Sequence, residues 1–205
     1  MAIIQVVPRT PDGQNNGRMA VFLDKDGTLV EDVPYNVDPV LVRLADDAVE
    51  ALQTLHRAGY LLVVITNQSG VARGLFAESA LPPVRQRLRT LLGEVGVPLA
   101  GFYYCPHHPE GIVDAYAVAC ACRKPADGLL RQAAHEHGID LARSWMVGDI
   151  LHDVEAGNRA GCRTVLLDVG HETEWELTPG RTPHVVARGL LDAARQILGS
   201  AVVSR

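Results

Sequence analysis

The sequence predicts an α/β domain, a Rossmann-like parallel sheet flanked by helices. Three observations carry that prediction. Apolar runs of strand length stand at Met19–Leu23, Tyr60–Thr66 and Trp145–Gly148, and each leads into polar residues. Segments with helical spacing of apolar residues separate them, and strands alternating with helices imply parallel pairing through helical crossovers. The 60–66 run is apolar at consecutive positions, as a strand covered on both faces requires.

Residues 8–18 hold only turn-formers and polar groups, so residues 1–18 read as a mobile leader before a single domain over 19–205. The first strand is expected at 19–23. Residues 29–45, with Pro34 and Pro39, read as irregular. Asp46 suits a helix N-cap, Ala48, Leu52 and Leu55 share one helical face, and Gly59 closes that helix. The second strand, 60–66, precedes a helix over 79–95 with two prolines in its first turn. A third strand is expected at 101–104, then a long loop over 105–124. Pro125 suits the first turn of a helix that Gly138 ends. Strands at 145–148 and 163–167 bracket a helix at 151–160, and a last helix covers 188–198. The connections are too short for a large cap domain.

Length and composition bound the function. The 205 residues suffice for one sizeable core, with 47% hydrophobic and 21% charged content. A net charge of −5 argues against non-specific nucleic-acid binding. No apolar stretch approaches the ~20 residues of a membrane span. The apolar start, Met1–Val7, has no basic residue before it and ends at Pro8, unlike a signal peptide. The expectation is a cytoplasmic, monomeric protein with no nucleic-acid or membrane partner.

Asp24-Lys25-Asp26-Gly27-Thr28 follows the first strand. Two carboxylates at a strand's carboxyl end can divide nucleophilic attack and proton transfer between them, and they suit Mg²⁺. By itself Asp-x-Asp-Gly also fits a turn or the opening of a calcium loop. A calcium loop needs a preceding helix and a Glu twelve positions in, where this chain has Tyr35. The fold brings Asp24, Asp26, Thr66, Asn67, Lys124 and Asp149 to one rim. Carboxylates for Mg²⁺, a lysine and a hydroxyl donor are the equipment of phosphoryl transfer, where charge on equatorial oxygens must be neutralised.

A second cluster lies in the 105–124 loop. Cys105-Pro-His107, twelve further residues and Cys120-Ala-Cys122 offer a Cys₃His set suited to structural zinc. His108 is a competitor for His107, and unpaired thiols are the plain alternative. Zinc here would brace the segment that presents Lys124. Cys162 reads as a small buried hydrophobe.

Four motifs in order, Asp24-x-Asp26-Gly-Thr, Thr66-Asn, Lys124-Pro125 and Gly148-Asp149-x-x-x-Asp153, resemble the haloacid dehalogenase superfamily of phosphatases. The resemblance implies that Asp24 is the nucleophile and Asp26 the general acid/base. It implies that Thr66 and Lys124 hold the phosphoryl group, and that Mg²⁺ sits on Asp24, the Asp26 carbonyl and Asp149, with Asp153 orienting that site. Cys-x-His, the twelve-residue gap, Cys-x-Cys-Arg-Lys-Pro and the run 66–74 are similar to the D-glycero-D-manno-heptose 1,7-bisphosphate 7-phosphatase family. That likeness implies substrate contacts from Asp32, Val33, Pro34 and Tyr35, from Asn67, Gln68 and Ser69, and from Arg123. It implies a small phosphorylated metabolite, a sugar bisphosphate, as substrate. Arg73 and Arg123 are candidates for a second phosphate. Related histidinol-phosphate phosphatases have a shorter metal-loop gap, and a histidinol-phosphate or other small-metabolite phosphatase is the alternative within the same chemistry. The chain departs from the family at four places: Ile150 stands where it has a lysine, Pro34 where glycine is common, and the leader before residue 19 and the Glu172-Thr-Glu-Trp175 region are unlike its best-known members. A zinc-braced binding module with relic phosphatase motifs is the alternative of another class.

Overall fold

The structure, a computed structural model, describes residues 17–202. Six strands form one parallel sheet: β1 (Ala20–Leu23), β2 (Leu61–Asn67), β3 (Leu99–Cys105), β4 (Trp145–Gly148), β5 (Arg163–Leu167) and β6 (Val185–Ala187). Their spatial order is β3-β2-β1-β4-β5-β6. Five helices connect or cover them: α1 (Ala48–Arg57), α2 (Leu81–Glu94), α3 (Gly128–His137), α4 (Leu151–Ala160) and α5 (Leu190–Val202).

Strand periodicity explains the layering. Ala20 and Phe22 point into one core with Leu130 and Ala133 of α3 and Ala156 of α4. Val21 and Leu23 point into the other, with Leu52 and Leu55 of α1, Leu88 of α2 and Ala194 of α5. Successive side chains leave opposite faces of a strand, so a sheet covered on both sides needs apolar residues at every position. Chain order reverses between β1 and β4, and in open α/β sheets ligands bind at such a switch point, beyond the carboxyl ends of the strands.

Several expected boundaries move. The α1 N-cap is Asp47 rather than Asp46, and the Asp47 carboxylate accepts instead from Leu191 N of α5 at 2.8 Å. Pro125 is not in a first turn, since α3 begins at Gly128. Residues 29–45 include a short 3₁₀ turn, Pro39–Leu41, and a bridge from Val30 to Leu44. The β6 strand was not expected: it is a three-residue edge strand with Val186 open to solvent, too short to show a period. Of the expected leader, residues 1–16 lie outside the described residues. Arg18 pairs with Ile139, donating to Gly138 O and accepting from Asp140 N. Among the described residues, no helix is long and apolar enough to cross a membrane.

Candidate active site and metal centre

The loops after β1, β2 and β4 meet at the switch point. Asp24 follows β1 directly, and its backbone N–H donates to Val147 O of β4 at 3.0 Å. Asp149 follows β4, and Asp153 lies in the first turns of α4. The carboxylates of Asp24, Asp149 and Asp153 approach within 4.8 Å of one another, and all three residues are buried. Gly148 makes this possible, because a Cβ there would collide with the Asp153 carboxylate.

One buried ammonium answers two of these three acids. Lys124 is 2% exposed, and its ammonium lies 2.6 Å from Asp24 Oδ1 and 2.5 Å from Asp153 Oδ1. It also donates to Ile65 O at 3.0 Å. Burial works against its charge, but Asp153 and Asp24 outweigh that and hold the lysine above its ordinary range. Three carboxylates around one ammonium leave negative charge in excess. Burial, with the Asp24 charge added, pushes Asp149 up to about 6. Burial likewise raises Asp153, with Lys124 opposing and Asp24 and Asp149 adding to the shift. A hard divalent cation held by oxygens would relieve this excess, so the donor set fits Mg²⁺ on Asp24 and Asp149. Asp153 engages Lys124 and, at 3.4 Å, Ile150 N, which suits an orienting role.

Gln68 joins two of the expected groups. Its amide donates to Thr66 Oγ1 at 2.9 Å and to Asp26 Oδ2 at 3.2 Å. The Thr66 hydroxyl oxygen is thus held as an acceptor of the Gln68 amide. Lys25 bonds Asp26 Oδ1 at 2.6 Å. Burial nevertheless raises Asp26; Lys25 works against that shift and the Asp24 charge adds to it. A carboxyl held above its ordinary range is suited to deliver a proton.

Asn67 has a role that residue type alone did not reveal. Its Oδ1 accepts from Lys124 N at 3.0 Å and its Nδ2 donates to Lys124 O at 3.1 Å. The side chain therefore clamps both backbone groups of the lysine. Beside it opens a cleft of about 120 Å³ lined by Asp26, Asp32, Tyr35, Asn67, Gln68, Ser69 and Gly70. Five of the eight residues expected to touch substrate thus share one cleft, while Val33, Pro34 and Arg123 are not in its lining. A larger hollow of about 470 Å³ lies elsewhere, around Asn158, Cys162 and His184, and holds none of these groups.

Cys105, His107, Cys120 and Cys122 converge, with Sγ and Nδ1 atoms 2.9–3.7 Å apart for five of their pairs. A zinc tetrahedron with Zn–S arms of about 2.3 Å has edges of about 3.7 Å. The cysteines are free, and burial pushes the Cys105 and Cys122 thiols up, so thiolates here want a cation. The set fits zinc. His108 is not in it; its Nε2 lies 3.1 Å from Arg73 Nη2. The cluster is tied to the acidic centre through Cys105 O, which accepts from Gln68 N at 2.8 Å, and through Arg123 and Lys124, which follow Cys122. Metal analysis should therefore find about one tightly held zinc per chain. Cys120→Ser should lose zinc and activity together, and added Mg²⁺ should not restore turnover, because Lys124 would be misplaced.

Sequence and structure comparisons place the chain among known proteins. A family model described as HAD-hydrolase-like matches residues 121–193. The D-glycero-beta-D-manno-heptose-1,7-bisphosphate 7-phosphatase of Photorhabdus laumondii is 38% identical over 89% of this chain and 97% of its own length. That of Pasteurella multocida is 46% identical over 75% and 83%. The chain belongs to this family of HAD phosphatases. A solved D,D-heptose 1,7-bisphosphate phosphatase from B. bronchiseptica, complexed with magnesium and phosphate, superposes with a TM-score of 0.74. It is 31% identical, over 89% of this chain and 99% of that one. The protein is thus a phosphatase with the HAD fold.

Two contacts escaped the sequence reading. His171 Nδ1 lies 2.7 Å from Asp149 Oδ2, and Glu172 accepts from Leu151 N at the start of α4 at 2.5 Å. Both residues stand some twenty positions away in a loop without periodicity, so no local signal announces them.

Proposed function

We propose that this phosphatase removes the 7-phosphate of a heptose 1,7-bisphosphate through an aspartyl-phosphate on Asp24. The observation that carries the substrate assignment is a second cationic place beside the carboxylate–lysine centre. Arg123 directly precedes Lys124, and Arg73 donates its backbone N–H to Ser69 O in the loop that lines the cleft. Burial lowers the Arg123 guanidinium; the neighbouring thiols oppose that shift and the Arg73 charge adds to it. Both guanidiniums reach the His107–His108 segment, Arg123 Nη1 donating to His107 O at 3.4 Å and Arg73 Nη2 lying 3.1 Å from His108 Nε2, and two cations on one segment suit the second phosphate of a bisphosphate. The names of the family relatives support the same substrate.

In this reading the Asp24 carboxylate attacks phosphorus and the bond to the sugar oxygen breaks. Asp26, as the acid, gives its proton to the departing alkoxide. Lys124 and the Thr66 hydroxyl hold the equatorial oxygens. Asp26, now a carboxylate, takes a proton from the water that cleaves the aspartyl-phosphate and restores Asp24. Asp24, the Asp26 carbonyl and Asp149 would hold Mg²⁺, which when bound would supply positive charge for the phosphoryl oxygens. Asp32 and Tyr35 face the sugar from the cleft wall. Tyr35 takes a φ of +54°, rare for a non-glycine residue, and stands half-exposed at the mouth. The Cys₃His zinc shapes the loop and takes no step in the reaction.

The test is kcat/KM on heptose bisphosphate, sugar monophosphates and histidinol phosphate, for wild type and Arg123→Lys. A two-pronged guanidinium grip is not copied by an ammonium. The variant should lose about 1.5–3 kcal/mol, or roughly 10–150-fold, on the bisphosphate and far less on monophosphates. A wild-type preference for histidinol phosphate, or equal losses on every substrate, would overturn the assignment.

A further inference from the structure

The loop after β5 reaches back to the acidic centre, and two consecutive residues tie it there. His171 Nδ1 lies 2.7 Å from Asp149 Oδ2, while Thr28 Oγ1 donates to the other oxygen at 3.2 Å. The imidazole packs over Gly27, whose φ is +75°; a Cβ there would collide with both His171 and Asp149. Next in the chain, the Glu172 carboxylate accepts from Leu151 N of α4, and from Thr173 N and Glu174 N at 2.9 and 2.7 Å. That fixes the loop to the helix start that Asp149 immediately precedes. The result is a short strap whose anchor and whose contact both belong to the Asp149–α4 corner.

We propose that His171 is a positioning residue for Asp149: by donating Nδ1–H to Oδ2 it holds the carboxylate in the setting in which it lies within 4.8 Å of the Asp24 carboxylate. The proposal rests on the reading of Asp24 and Asp149 as Mg²⁺ ligands. A ligand carboxylate that must be reoriented on binding wastes affinity, and partners behind metal ligands commonly govern that affinity. An imidazole carrying a proton on Nδ1 meets the requirement, because the Asp149 carboxylate oxygen can only accept. Its side chain is about one-third exposed, so replacing it opens no void in either core.

The experiment titrates Mn²⁺, a close substitute for Mg²⁺ at oxygen sites, and reads the free ion by electron paramagnetic resonance. Wild type is compared with His171→Ala, His171→Asn, His171→Gln and Asp149→Asn, with circular dichroism and zinc content as controls on folding. The Asn amide can donate from near the Nδ1 position, whereas the Gln amide lies one methylene farther out. His171→Ala and His171→Gln should weaken Mn²⁺ binding by about 10–100-fold. His171→Asn should stay within a few-fold of wild type. The apparent KM for Mg²⁺ should rise in step, with kcat at saturating Mg²⁺ near wild type. Wild-type affinity in both Ala and Gln variants, or an Asn variant as weak as they are, would overturn the positioning role. If Asp149→Asn binds Mn²⁺ as wild type does, the metal reading of Asp149 falls, and the proposal falls with it.

Discussion

Asp24→Asn should fold, keep its zinc and lose turnover by on the order of 10⁴–10⁶-fold, the scale on which removal of a catalytic nucleophile acts. An amide is a poor nucleophile toward phosphorus and a poor ligand for Mg²⁺. Folding should survive because Lys124 retains Asp153 at 2.5 Å and Ile65 O at 3.0 Å. Asp26→Asn makes the informative contrast. It leaves Asp24 and Asp149 in place and removes only the proton carrier, so the loss should be roughly 10²–10⁴-fold. Turnover with a good leaving group, such as an aryl phosphate, should suffer less in Asp26→Asn and no less in Asp24→Asn. Measurable wild-type-like turnover by Asp24→Asn would end the aspartyl-phosphate reading.

Lys124→Met should be the most damaging substitution to both fold and activity. The ammonium is buried between two carboxylates, and removing one partner of a buried ion pair costs about 3–5 kcal/mol through the charges left behind. The sign of its pH dependence follows from Asp153. Burial and neighbouring acids already raise that carboxyl above its ordinary 3.8 despite Lys124, and without the lysine it rises further. A carboxyl whose folded-state pKa is raised favours the folded state below its unfolded pKa, and loses that advantage as pH climbs through the folded pKa. The variant's deficit should therefore be largest above neutral pH and should shrink as pH falls toward 5. Urea denaturation of variant and wild type at pH 7.5 and 5.5, without divalent metal, measures both. A deficit independent of pH would show that the cost is lost packing rather than unpaired charge. On the proposed mechanism Lys124 holds a phosphoryl oxygen, so turnover should fall by at least ~10²-fold at any pH.

The centre's charge balance links these variants to His171. Where three acids cluster and one ammonium pairs with two of them, each neighbour that orients or neutralises an acid governs how readily a divalent cation enters. Lys124 does this from beneath Asp24 and Asp153, and His171 from beside Asp149.

Much of this was readable in the chain itself. Trp145–Gly148, Leu151–Ala160 and Arg163–Leu167 fall where periodicity puts them, because hydrophobic spacing is local information. Asp24, Thr66 and Asp149 share a rim because each stands at the end of an apolar run, and parallel strands bring all such ends to one side. The Cys₃His cluster was legible because ligand type and spacing travel together in the sequence. Only the tertiary structure decided the rest. It assigned Asn67 to the backbone of Lys124, fifty-seven residues on, and Gln68 to a bridge between Thr66 and Asp26. It added the edge strand β6, which three residues cannot announce, and it brought His171 to Asp149 across a loop with no period. Residue types and spacings determine which strands and helices form and which end of the sheet is polar. Which polar group meets which is settled by the packing of distant segments, and no local pattern in the sequence encodes it.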